Sequence, residues 1–169
     1  AMDEHFKSAP LAENLPVLLA LIGVWNRNFL NMNSLVVAPY AQRLEYFCGW
    51  LHQLEMESNG KAVGADGAAL QVASVPALWG SVGTNAQHAF FQMLHQGCDV
   101  MPVDFILALQ AENTGNDGRK PAPADNRHAQ LLANCFAQAQ ALMQGKGSDA
   151  LRAENVAPEL LSQRSFQGN

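Results

Sequence analysis

Residues 1–12 carry no clear hydrophobic period and include Pro10. From Asn14 the chain turns apolar, with Leu15, Val17, Leu18, Leu19, Leu21, Ile22, Val24 and Trp25 in close succession. An asparagine cap and Pro16 in the first turn predict a helix over 14–30. A helix that is apolar nearly all round is expected to be buried on several sides. Ser34-Leu35-Val36-Val37-Ala38, closed by Pro39, reads as a buried parallel strand. Between 41 and 58 the apolar positions Leu44, Phe47, Cys48, Leu51 and Leu54 have helical spacing, and Asn59-Gly60 stops them.

Residues 61–83 are rich in Gly, Ala and Ser and read as loop with one or two short strands, the candidates being 69–72 and 77–79. Thr84 and Gln87 have capping-box spacing, so a helix is predicted from Thr84 to Gly97. Residues 99–109 read as a strand, which Pro102 assigns to an edge or an irregular start. A solvated loop over 113–126 and a helix over 128–144 follow, closed by Gly145 and Gly147. Residues 149–169 read as a short helix or turn and an extended tail without a core of its own. Helices alternating with apolar strands indicate an α/β fold with a mostly parallel sheet. Two convincing strands are few for a self-sufficient doubly wound sheet, which points to missed strands in 61–83 or to a piece of something larger.

Composition narrows the function classes. The 169 residues fit one domain, apolar residues make up 49% and charged residues 15%. That low charged fraction suggests surfaces that meet another domain or subunit. A net charge of −5 without a basic cluster argues against nucleic acid. The apolar stretch over 15–25 is too short to span a bilayer and lacks a basic segment before it, so neither a membrane anchor nor a secretion signal is expected. Cys48, Cys98 and Cys135 are far apart, an odd number without metal-ligand spacing; they read as free thiols of a cytoplasmic protein.

Three residues could carry chemistry. Glu57 falls in the last turn of its helix, where a carboxylate faces the negative end of the helix dipole, unfavourable by a few tenths to about 1 kcal/mol. A carboxylate so held suits a general base, which must give its proton back; an exposed acid without a role is the plainer reading of the spacing alone. Gln53 lies one turn earlier on the same face and could bond a substrate hydroxyl or orient the carboxylate. His88 falls in the first turn or so of the helix opened by Thr84, where the positive helix end disfavours imidazolium. A neutral imidazole serves acid–base work, and a histidine packed between elements is the plainer reading. The free N–H groups at Asn85 to Gln87 are a weak anion-site signal. His52, His95 and His128 share no metal-ligand spacing, so no metal site is expected.

Taken together these segments resemble the glucose-6-phosphate isomerase family. Met56-Glu57-Ser58-Asn59-Gly60-Lys61, with Gln53 ahead, resembles its catalytic-base segment. Trp79-Gly80 and Gly83-Thr84-Asn85-Ala86-Gln87-His88-Ala89-Phe90 resemble its histidine segment. His95-Gln96-Gly97, Pro102-Val103-Asp104-Phe105, Met2-Asp3-Glu4-His5-Phe6 and Asn14-Leu15-Pro16-Val17-Leu18-Leu19-Ala20-Leu21 continue the match, as does Phe166-Gln167-Gly168-Asn169 at the end. The resemblance implies two sugar-isomerase (SIS) subdomains, each a three-layer αβα sandwich around a flavodoxin-like, mostly parallel sheet. Residues 1–148 would supply most of the second subdomain and 149–169 a short helix and tail.

The resemblance also implies interconversion of glucose 6-phosphate and fructose 6-phosphate through a cis-enediol. Glu57 would move the proton between C1 and C2, Gln53 would contact substrate, and His88 would assist ring opening in the neighbouring subunit's site of a homodimer. No metal or organic cofactor is implied. The family's phosphate loop and enediolate-stabilising arginine would lie before Ala1, and its ring-opening lysine beyond Asn169; Lys61 belongs to the base motif instead. The 169 residues alone are therefore expected to be inactive, because oxyanion stabilisation is usually the largest catalytic term. The alternative is a non-catalytic SIS module that binds a sugar phosphate without turning it over.

Overall fold

The computed structural model describes residues 1–111 and 126–169. Helix α1 (Met2–Ser8) occupies the start of the chain, where no period was legible. Helix α2 (Leu15–Asn28) follows, with Pro16 in its first turn. Asn14 is buried and makes the expected cap: its Oδ1 accepts from the Val17 N–H at 3.3 Å, and its Nδ2 donates to the Phe6 carbonyl at 2.8 Å.

Strand β1 (Ser34–Tyr40) is longer than the expected 34–38, and Pro39 lies inside it, fully buried. The expected helix over 41–58 is three pieces: a 3-10 turn at Gln42–Leu44, α3 (Phe47–Leu51), and a π-helical continuation over His52–Glu57. Strand β2 (Ala77–Gly80) matches the expectation at 77–79, whereas 69–72 holds no strand beyond a single antiparallel bridge, Val63 to Ala69. The expected helix over 84–97 breaks at Phe90 into α4 (Gly83–Ala89) and α5 (Phe91–Gln96). Strand β3 (Val103–Leu107) begins directly after Pro102, and α6 (Arg127–Gln144) agrees with the expected helix and stops at Gly145, whose φ is 65°. In the tail, the expected short helix is α7 (Ser148–Ala153), and a second, α8 (Leu161–Arg164), follows; each buries one leucine, Leu151 and Leu161. The solvated loop expected over 113–126 lies outside the described residues apart from Asn126.

Among the described residues the sheet has three parallel strands in the order β2-β1-β3, so β3 is an edge strand, as Pro102 suggested. Strand pleating sends alternate residues of β1 to opposite faces. Val36, Ala38 and Tyr40 pack with Ala86, Phe91, Leu94, Cys135 and Leu142 from α4, α5 and α6. Val37 packs on the other face with Leu78, Cys48 and the partly buried Leu51, Met56 and Ile106. The result is three layers, helix on sheet on helix, with β1 as the doubly covered centre. Cys48 and Cys135 are buried free thiols, pushed up from the usual thiol range by desolvation, and Cys98 is exposed.

Helix α2 departs from its expectation. It buries no residue; Leu19 is 60% exposed, Ile22 54% and Trp25 54%. Its neighbours are α1 and the 3-10 turn at Leu11–Glu13, while its C-terminal side chains clasp the approach to β2: Arg27 Nε donates to the Val75 carbonyl at 3.1 Å, and Asn28 exchanges bonds with Ala73. An all-apolar helix is a statement about burial, and these residues supply no cover for most of its circumference. No helix among the described residues is long and apolar enough to cross a membrane.

One buried polar pair ties the core to α4. Tyr40, 1% exposed, accepts from Gln87 Nε2 at 2.9 Å through its hydroxyl. Gln87 therefore makes no capping box; α4 starts at Gly83, and Val82 before it supplies no side-chain cap. Burial, with a smaller contribution from Cys135 nearby, pushes the Tyr40 phenol up to about 12 from its ordinary 10.0. Since the folded state holds this proton more tightly, the stability it confers is complete below pH 10 and is lost as pH rises towards 12. The urea midpoint of unfolding is expected to fall between pH 8 and pH 11, and less so in Tyr40→Phe. An equal fall in both proteins would remove Tyr40 as the cause.

Candidate functional site

The segment from Gln53 to Lys61 is built from backbone bonds. At His52 the helix widens from α to π geometry, so that the Ser58 N–H reaches the Gln53 carbonyl, five residues back. Turns of this kind occur often at functional sites. The wider turn keeps residues four apart nearly in line, so Gln53 and Glu57 still share one side, and both are exposed. Met56, between them and the sheet, anchors the turn: it packs beneath β1 and β2, and its Sδ accepts from the Leu78 N–H at 3.3 Å.

The motif after Glu57 folds back on the helix end. Ser58 Oγ donates to the Gln53 carbonyl at 3.1 Å, and Asn59 Nδ2 donates to Glu55 Oε2 at 3.3 Å. The Gly60 N–H donates to the Met56 carbonyl at 3.0 Å, and Lys61 Nζ to the Glu57 carbonyl at 2.6 Å. A Cβ on Gly60 would stand 2.1 Å from the Met56 carbonyl oxygen, so only glycine makes this close return. The ammonium of Lys61 sits where a helix end carries negative partial charge and unpaired carbonyls. The Glu57 carboxylate is left open to solvent at the end of this self-bonded cap.

His88 is elsewhere. It is the sixth residue of α4, in the last turn of that short helix, and exposed; the expectation that it falls in the first turn or so, with the positive helix end acting on it, does not hold. The N–H groups expected to be free at Asn85 to Gln87 are partly used, since Ala86 donates to the Val82 carbonyl at 2.9 Å. Helix α4 packs on the sheet face opposite to Met56. Gln53 and Glu57 thus share one helix side, whereas His88 stands on a helix that packs on the other face of the sheet.

Two features were not singled out from the sequence. One is the π turn under Glu57, since its apolar spacing is also that of an α-helix. The other is Asp104 on β3, whose carboxyl desolvation holds above the usual range; a lone acid in an apolar strand was the available clue. Among the described residues, no three His, Cys, Asp or Glu side chains converge as a metal site. A cleft of about 500 Å³ lies apart from Glu57, lined by residues that include His95, Lys146, Ser148 and Asn169.

Comparisons with known proteins cover the whole chain. The family model for phosphoglucose isomerase matches residues 1–169. The glucose-6-phosphate isomerase of Cupriavidus taiwanensis is 49% identical over 170 residues, covering 100% of this chain and 29% of that protein. That of Burkholderia mallei is 49% identical over 170 residues, covering 99% of this chain and 30% of its own length. The crystal structure of a glucose-6-phosphate isomerase from Chlamydia trachomatis superposes with a TM-score of 0.81 at 40% identity, over 99% of this chain and 30% of that one. The chain therefore spans about 30% of the length of the curated relatives it matches.

Proposed function

Since this chain belongs to the phosphoglucose isomerase family, we propose that it carries the base-bearing part of an aldose–ketose isomerase site. In this reading glucose 6-phosphate and fructose 6-phosphate interconvert through a cis-enediol, with Glu57 taking the proton from one of C1 and C2 and returning it to the other. Gln53 bonds a substrate hydroxyl beside it. The observation that carries the reading is the cap from Met56 to Lys61, which fixes the backbone of Glu57 and leaves its carboxylate exposed and without a described bond. A base that must reach a substrate carbon and release its proton again needs that freedom.

His88 serves ring opening in the site of a second copy. Its place on a helix that packs on the opposite sheet face from Met56, beside Glu57, supports this. The partner is then a second subunit of a cytoplasmic homodimer, and the reaction needs no metal or organic cofactor. The uncovered apolar surface of α2 supports association too. Sedimentation velocity on the 169 residues is expected to show a dimer or larger species; a monomer at every concentration would count against association through this chain.

These residues alone are expected to give no measurable turnover. Developing negative charge on an enediolate needs cations, and the cation of this motif, Lys61, directs its ammonium to the Glu57 carbonyl. The test is a chimera: the full-length Cupriavidus taiwanensis relative with these residues in place of its matching segment. Coupled fructose 6-phosphate assays should find the chimera active, its Glu57→Gln variant inactive and the isolated chain silent. A chimera that binds fructose 6-phosphate without turnover would favour a sugar-phosphate sensor.

A further inference from the structure

Among the polar side chains of the base motif that have no part in the reaction just proposed are Ser58 and Lys61. Each bonds the backbone carbonyl of a residue proposed to meet the substrate: Ser58 Oγ that of Gln53 at 3.1 Å, and Lys61 Nζ that of Glu57 at 2.6 Å. The Glu57 carbonyl lies in the last turn, where carbonyls run out of partners further along the helix, and Lys61 supplies the donor; the Gln53 carbonyl already accepts from the Ser58 N–H, and Ser58 Oγ gives it a second bond. We propose that Ser58 and Lys61 are positioning residues, which fix the backbone of Gln53 and Glu57 at the open end of the π turn while both working side chains stay free.

The physical case rests on what else could hold these residues. Gln53 and Glu57 are both exposed, so packing does not fix their backbone. Met56 anchors the turn to β2 from below through its sulfur, a weak acceptor. Without the bonds from above, the turn keeps the Ser58 N–H bond to Gln53 and the Gly60 N–H bond to Met56 but loses the tie at the Glu57 carbonyl, so this end frays more readily and the carboxylate moves with it. A displacement of about 1 Å can cost on the order of 100-fold in rate. Both donors are at the surface, so the core does not depend on them.

The inference rests on Glu57 being the base, and its test separates the two. Lys61→Met keeps the aliphatic stem and removes the donor. In the 169-residue chain, the backbone order parameters of Glu57 and Ser58 should fall from about 0.85 to below about 0.6, with β1 unchanged and Lys61→Arg close to the parent. In the chimera, Lys61→Met should lower kcat about tenfold with KM within twofold, and Lys61→Arg should recover most of it, at unchanged Tm. Ser58→Ala should act through Gln53 and raise KM, with Ser58→Thr restoring it. Unchanged order parameters and kcat in Lys61→Met would overturn the inference, as would equal losses in Lys61→Met and Lys61→Arg. Loss of turnover in Glu57→Gln beside a neutral Lys61→Met would defeat this inference alone. Full turnover in Glu57→Gln would defeat the proposed function and this inference with it.

Discussion

Glu57→Gln in the full-length chimera is expected to lower kcat by at least about 1,000-fold while KM changes by no more than a few-fold. Removing a positioned general base typically forfeits 100- to 10,000-fold, and proton abstraction from carbon lies at the demanding end of that range. A loss of about 1,000-fold corresponds to roughly 4 kcal/mol of transition-state stabilisation. Glutamine keeps the size and the hydrogen-bonding reach of the side chain, so binding should survive. Folding should survive as well: the carboxylate is exposed and has no described bond, and surface changes of that kind stay within about 0.5 kcal/mol. Steady-state kinetics beside a thermal melt checks both halves. A fall in kcat below tenfold at unchanged Tm would show that Glu57 is not the base. A fall in Tm of several degrees would show that the residue holds structure.

Gly80→Ala is expected to destabilise the 169-residue chain by about 4 kcal/mol or more, a large part of the 5–15 kcal/mol that holds an ordinary domain together. Gly80 ends β2 with φ 153° and pairs in register with Val37, at the centre of the sheet. A Cβ there would stand 1.9 Å from the Val37 carbonyl oxygen and 2.9 Å from its nitrogen. Those atoms belong to the buried central strand and cannot yield as the end of a flexible side chain would. The turn that follows leads into α4, so the damage would reach His88 as well. Gly67 is the control: its φ is 79°, but a Cβ would meet nothing within 4 Å, and Gly67→Ala should cost about 1 kcal/mol of backbone strain. Urea unfolding of the two variants checks the difference. Equal midpoints would mean that β2 can shift away from β1 at Gly80.

Much of the fold was legible because local pattern and burial agree along β1, β2, β3 and α6. Val36 and Val37 are β-branched and doubly covered, and Gly145 and Gly97 stop helices where the period ends. The reading failed where the same residues serve two geometries. Leu51 and Leu54 fit an α-helix and a π turn alike, and the choice fell to Met56, which the sheet holds by packing and by the Leu78 N–H. Gln87 fits a capping box by spacing, yet its amide goes to the buried Tyr40 hydroxyl, which would otherwise lack a partner. Residues 1–12 show no period because α1 buries nothing.

The sequence by itself determined the family, since two motifs in order, around Glu57 and around His88, are matched along the whole chain. It determined the parallel α/β class through the apolar strands, and it placed Gln53 and Glu57 on one helix side through their spacing. Only the tertiary structure decided that His88 lies on the opposite sheet face from Glu57, since the side to which a helix packs depends on how the chain crosses the sheet and leaves no mark in local period. Only it decided that α2 stays uncovered by these residues, because hydropathy states that a helix prefers burial and not what buries it.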